Sequence, residues 1–403
     1  MSPSTKSRLC FDTKGPSRSG PNRIGLTHAS PATYLVAVRI ALPYGRRPLV
    51  VDFGDRRVRV AEPVSPGEPA PPLDELLERE LAIAAIPPAR DAVVIVSDAT
   101  RAEPRGAFLE ALRRRLGDFR IAIATGTHGP ARLGELGLPG WATRVVNHDG
   151  RSDVVDLGVT ARGTPVRVHR CVVEADLVVA TGCIRPHYFA GFGAGVKAIF
   201  PGLGEATAVR VNHRLKTEPR ARAGIVDGNP CRDDLEEAVA MIATPKLLVN
   251  GVCDPDGEIR AVVVGDVVDA FRRGVALARP WLAVHAEPAS VVVASDRLPV
   301  SASLYQAAKI AAAAAPFVKP NGRLVVVAEC SEGIEPLETV NEEVWRIGVL
   351  PRLPTGARLA LVSELAANDV QRTLLSYGPS VEALLDSSDV LVLPRAGQVI
   401  SDE

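Results

Sequence analysis

Three polar stretches hold side chains suited to moving protons and holding anions. They are "SDATR" (Ser97–Arg101), "TGTH" (Thr125–His128) and "CIRPHYFAGFGAGVKAIFPGLG" (Cys183–Gly204). A neutral imidazole titrates near physiological pH, so His128 and His187 could each take a hydroxyl proton and return it. Two such groups on opposite sides of one carbon would permit inversion of stereochemistry. Imidazole alone cannot remove hydrogen from the carbon of a 2-hydroxy acid, where it leaves most easily as hydride. An acceptor other than a side chain is then required. Arg101 could hold a carboxylate or phosphate through two parallel hydrogen bonds.

Each feature also has a plainer local reading. The Gly loop is neither a P-loop nor a dinucleotide fingerprint. Lys197 lies between Val196 and Ala198, and Gly191, Gly193 and Gly195 run G-x-G-x-G. Taken alone, it is a tight turn with a solvated lysine, although glycine amides can also hold an anion. Asp98 and Thr100 could simply cap a helix. Tyr305, Gln306 and Lys309 in "LYQAAK" could be a solvated helix face, with Gln306 and Lys309 three apart on one side. Of the seven histidines, His28, His148, His169 and His285 have no special setting. No H-E-x-x-H or H-x-H spacing supports a hydrolytic zinc site.

The elements that must position these groups are short, continuous apolar runs alternating with amphipathic helices. "DAVVIVSD" (Asp91–Asp98), "FRIAIATGTHG" and "ADLVVATG" (Ala175–Gly182) read as buried strands. "PRGAFLEALRRRLG" reads as a helix starting near Pro104 and stopping at Gly117. "YLVAVRIAL" and "RPLVVDFG" read as a first hairpin. The pattern predicts an α/β protein of two domains with mainly parallel sheets and the active site in the cleft between them. In such sheets ligands lie beyond the carboxyl ends of strands, where all three polar stretches fall. The expected division is a disordered extension over 1–35, an N-terminal α/β domain over 36–265, a helical linker over 266–285 and a C-terminal α/β domain over 286–403. The Ala tract at 311–315 is expected in a tightly packed helix.

Composition narrows the class. Of 403 residues, 46% are hydrophobic and 23% charged, a globular balance. Lys+Arg and Asp+Glu are both 47, which argues against a nucleic-acid or membrane-surface partner. Six dispersed cysteines without a C-x-x-C pair read as reduced thiols of a cytoplasmic protein. No run reaches membrane-spanning length.

Taken together, "SDATR", "TGTH", "PHYFAGFGAGVKAIFPG", "NHR" (Asn212–Arg214), "GNPCRDDLEEA" and "LYQAAK", with "ALPYG" near residue 41, resemble the nickel-pincer-nucleotide lactate racemase family over about 36–403. The spacing of His187, Lys197 and His213 is the most specific element. The resemblance implies the family cofactor, pyridinium-3,5-bisthiocarboxylic acid mononucleotide nickel. It would be tethered through Lys197, with His213 as the protein's ligand to Ni. His128 and His187 would be the paired acid/bases. Arg101 and Lys309 would hold the substrate, and Tyr305 and Gln306 would line its pocket. Gly193 and Gly195 would make room for the cofactor, with Asp98 and Thr100 in support. The implied activity is racemisation or epimerisation of a 2-hydroxy acid by reversible hydride transfer. The enzymes that make the cofactor would be transient partners.

Three departures leave the acid/bases and tether intact. Gly193 and Ala194 stand where the family often has Ser and Gly, and Gly129 where it often has Arg. They bear on the substrate, for which lactate is one candidate among 2-hydroxy acids. Two other readings stand beside this one: an NAD-type dehydrogenase, which should reduce added NAD, and a non-catalytic family member that binds nucleotide or hydroxy acid.

Overall fold

The computed structural model describes residues 38–401 and, as backbone only, 30–31 and 33–35. Cys10, His28 and most of the expected extension lie outside the described residues. Two sheets carry the architecture. The first has six strands, in the order Ile259–Gly265, Lys246–Cys253, Leu177–Ile184, Ala92–Ser97, Arg120–Ala124 and Val145–Asn147. All neighbours are parallel except the Ile259–Gly265 edge.

The expected continuous burial is present, and its cause is a helix layer on each face. Val94 and Val96 pack with Leu76, Leu77, Phe108 and Leu112 of helices Leu73–Ile83 and Arg105–Leu116. Val93 and Ile95 face the other way, against Leu235, Val239, Phe271 and Val275 of helices Pro230–Ala240 and Asp269–Leu282. All four strand residues are 0% exposed. Each contributes roughly 1.5–3 kcal/mol of burial, so the strand's exit geometry is firmly held. Gly117 ends helix Arg105–Leu116 at φ +75°, where a side chain would be strained.

The second sheet runs Thr33–Leu35, Arg57–Val60, Asp389–Leu393, Ala289–Arg297, Val318–Val327, Arg358–Val362 and Ser376–Tyr377. It is parallel except at its first pair. Helix Leu304–Ala314 covers one face. Its alanines, with Ala315 just beyond, are at most 7% exposed from Ala311 to Ala315, small enough for the helix to sit close to the strands. The expected hairpin, Arg39–Leu42 with Leu49–Asp52, covers the other face through Leu42, Val51 and Phe53.

Strand pairing differs from the division expected at 36 and 266. Residues 33–60 hydrogen-bond within the second sheet, and helix Asp269–Leu282 packs on the first. The physical reason is long-range pairing: Arg57–Val60 joins Asp389–Leu393, more than three hundred residues away. The crossing between the two units is Ala283–His285, paired with Ile400–Ser401 and Ser30–Pro31. No described helix is long and apolar enough to cross a membrane. The five described cysteines are free and buried.

Candidate active site

The three polar stretches leave the carboxyl ends of adjacent parallel strands. After Ala92–Ser97, Asp98 turns inward and is 6% exposed. Its Oδ1 accepts the Thr100 N–H at 3.1 Å, so Thr100 shapes the turn and caps no helix. Its Oδ2 lies 2.7 Å from His128 Nδ1. Burial pushes the Asp98 carboxyl up, but bonds from His128 and Thr100 and the charge of Arg101 outweigh it and hold the group below its usual range. An ionised Asp98 places the His128 proton on Nδ1 and leaves Nε2 with its lone pair. Half of the His128 side chain is exposed.

The long loop after Leu177–Ile184 wraps around one buried ring. Phe189 is 2% exposed. Its centroid lies 4.5 Å from that of His187, 5.0 Å from that of His213 and 5.5 Å from Lys197 Nζ. Burial, with the nearby charges of Arg232 and Arg101, lowers the Lys197 amine to about 7. Burial and the Lys197 and Lys216 charges lower His213 to about 3. His213 is therefore neutral. Its Nδ1 donates to the Val209 carbonyl at 2.9 Å, leaving the Nε2 lone pair available. Burial lowers His187 well below its ordinary value, and Lys197, Arg101, Lys309 and His213 add to the effect. His187 Nδ1 accepts the Ala190 N–H at 3.3 Å, which puts its ring proton on Nε2.

The glycines serve the loop's own fold. Gly193 donates its N–H to the Arg185 carbonyl at 2.8 Å, and Gly195 donates to Asn250 Oδ1 at 3.0 Å. Both amides are spent inside the protein. Gly195 is needed because its φ is +65° and a Cβ would lie 2.8 Å from the Phe271 ring. Gly191 is needed still more, since a Cβ there would lie 2.0 Å from the Ile225 carbonyl oxygen. At Gly193 the nearest atom to a Cβ is 3.8 Å away, so a side chain fits.

The second sheet supplies Lys309 from helix Leu304–Ala314, which Ser303 caps by accepting the Gln306 N–H at 3.4 Å. Burial and the Arg101 charge lower Lys309 to about 8, against the opposing pull of Asp296. Arg101 thus lies within electrostatic reach of Asp98, His187, Lys197 and Lys309. Tyr305 is 42% exposed and lies close enough to Tyr188 to help burial raise that phenol. Gln306 is half-buried on the same turn.

His128, His187, Lys197, His213, Arg101 and Lys309 are therefore brought together. Sequence reasoning missed Phe189, Asn250 and Arg232, which act through ring contacts and backbone carbonyls. "GNPCRDD" was visible as a motif, but nothing in its residue types pointed to the Gly loop.

The model of the lactate racemase N-terminal domain matches residues 68–224. A lactate racemase from Thermoanaerobacterium thermosaccharolyticum is 29% identical over 320 residues, covering 73% of this chain and 75% of that one. Over most of its length the chain is thus similar to lactate racemases. A second relative, a lactate racemase from Lactiplantibacillus plantarum, is 29% identical over 258 residues, covering 60% of each chain. The solved lactate racemase apoprotein from T. thermosaccharolyticum shares the fold, with a TM-score of 0.80 at 24% identity, over 91% of this chain and 100% of that one. A Thermotoga maritima protein is similar more loosely, with a TM-score of 0.59 at 18% identity, over 82% and 97% of the two chains.

Proposed function

We propose that the chain racemises or epimerises a 2-hydroxy acid, lactate or a close relative, with a nickel-pincer nucleotide tethered to Lys197. The observation that carries this reading is the arrangement of His187, Lys197 and His213 around Phe189. A buried amine that titrates near neutrality suits acylation, because much of it is uncharged. A neutral imidazole with Nδ1 already bonded suits a metal ligand. Among the described residues no three His, Cys, Asp or Glu side chains converge as a metal site. Among the described residues His213 offers a metal its neutral imidazole, and the remaining ligands would come with an organic group. The donor set fits a pincer cofactor on this count. When bound, that group supplies a reversible hydride acceptor.

The chain's own residues do the rest. Arg101 and Lys309 hold the substrate carboxylate and the oxygen on the reacting carbon. Neither has an ion-pair partner among the described residues, so both charges are available. His128 Nε2 takes the hydroxyl proton, and Asp98 stabilises the imidazolium that forms. His187 serves the opposite face. The 3.3 Å contact from Ala190 to its Nδ1 is the bond it gives up in its turn as base. The surrounding cations favour alkoxide character at the oxygen.

A chiral screen of 2-hydroxy acids with nickel-loaded protein tests the proposal. Interconversion of enantiomers in solvent deuterium, with little label at the reacting carbon, is the expected result. Full labelling at that carbon would point to enolate chemistry and sink the hydride route.

A further inference from the structure

Arg232 is a buried cation that the reaction does not use. It is 0% exposed and makes no ion pair among the described residues. It is the third residue of helix Pro230–Ala240, whose start is fixed by Asn229 Oδ1 accepting the Cys231 and Arg232 N–H groups at 3.1 and 3.2 Å. Burying an unpaired charge is costly unless hydrogen bonds replace its water. Here the replacements are all carbonyls of the Gly loop. Arg232 donates to Ala190 at 3.3 Å, to Ala194 at 3.5 Å and to Phe192. Asn229 Nδ2 donates to the preceding Phe189 carbonyl at 3.0 Å. The guanidinium also stacks on the Phe271 ring at 4.2 Å, the same ring that excludes a side chain at Gly195. One helix start therefore templates the loop from Phe189 to Ala194 and leaves a cation beside Lys197.

We infer that Arg232 is a positioning residue for the tethering lysine: its three-carbonyl fork shapes the loop, and its charge, held without an ion pair among the described residues, keeps the Lys197 amine ready for acylation. The inference rests on the reading of Lys197 as the tether. In any acylation, Nζ bonds to the acyl carbon, the leaving group departs with its electron pair, and the Nζ proton passes to water. Only the uncharged amine can begin. The charged or titratable groups around it are Arg101, Arg232, His187, His213 and Cys231. Cys231 is a thiol held up to about 12. Arg232 is the member of this set that binds the loop from a separate helix.

The test is pulse acetylation of the full-length, cofactor-free chain at pH 7 with an N-hydroxysuccinimide acetate, read by peptide mass spectrometry. The surface lysine Lys319 is the internal reference. In Arg232→Met, acetylation of Lys197 relative to Lys319 should fall about fivefold, as for an amine whose titration moves up by one pH unit from about 7 and is read at pH 7. Arg232→Lys, which keeps the charge, should recover a measurable part of the loss. If Arg232→Met does not fold, Arg232→Gln replaces it with the same expectation. A folded neutral variant that acetylates Lys197 at the wild-type rate would overturn the inference, as would a Lys variant no better than the neutral one. The readout needs no cofactor, so its failure leaves the proposed function standing. Absence of a cofactor adduct on Lys197 would end that proposal while leaving the acetylation contrast intact.

Discussion

Asp98 and His128 show how much one contact decides. The carboxylate at 2.7 Å selects the imidazole tautomer with a free Nε2. Asp98→Asn should keep the fold and lower turnover by about 10²-fold or more, the usual scale of general acid/base catalysis. His128→Ala should cost at least as much. Comparing kcat of the two variants with their melting temperatures separates a lost base from a lost fold. A second residue-scale expectation concerns Asp296, where burial raises the carboxyl from 3.8 to about 6. A raised pKa in the folded state means that the stability this group contributes is full below 3.8 and is lost as pH rises through about 6. Asp296→Asn should therefore raise the melting temperature at pH 7.5 and gain nothing at pH 3.5. A gain that is equal at both pH values would show that ionisation is not the cause.

At the scale of elements, the Gly loop makes a contrast that thermal melts can read. Gly195→Ala meets both a positive φ and the Phe271 ring, and should cost about 1–3 kcal/mol or more. Gly193→Ser places a Cβ at ordinary contact distance from its neighbours and should leave the melting temperature within a few degrees. The change would add a hydroxyl there without disturbing the loop. The loop's importance was legible in the sequence from the spacing of His187, Lys197 and His213. The reason for each glycine was not, because Ile225 and Phe271 approach from distant segments. The strands were legible for a simple reason: Val93 to Val96 are buried on both faces, and a continuous apolar run is what such burial selects. Asp98 was read only as support. Its partner His128 is thirty residues away, and the parallel pairing of their two strands brings them together.

For the whole molecule, the two sheets meet around the helix that carries His213. Lys216, just beyond helix Ala206–Arg214, donates to the Glu343 carbonyl in the second unit. Arg352 of the second unit donates back to the Lys216 and Ala221 carbonyls at 2.9 and 2.6 Å. Glu343 lies in a π-helical segment, Val340–Arg346, whose Trp345 indole also donates to Leu304 at the start of the Lys309 helix. Arg352→Ala should loosen both holds at once. The expected result is faster amide exchange over 206–217 and a larger rise in KM than fall in kcat. Unchanged exchange there would mean that the bridge does not order the His213 helix. This scale was the least legible in the sequence. Strand Arg57–Val60 belongs to a sheet completed at Asp389–Leu393, and no local pattern encodes so distant a partner.

In the proposed reaction Lys197 carries the reactive group and His213 its metal. Its most direct test is peptide mass and nickel analysis of the chain co-expressed with the enzymes that make the cofactor. Added mass on the Lys197 peptide and about one nickel per chain are expected, with the nickel lost in His213→Ala. An unmodified Lys197 in protein that still interconverts the enantiomers of a 2-hydroxy acid would contradict it.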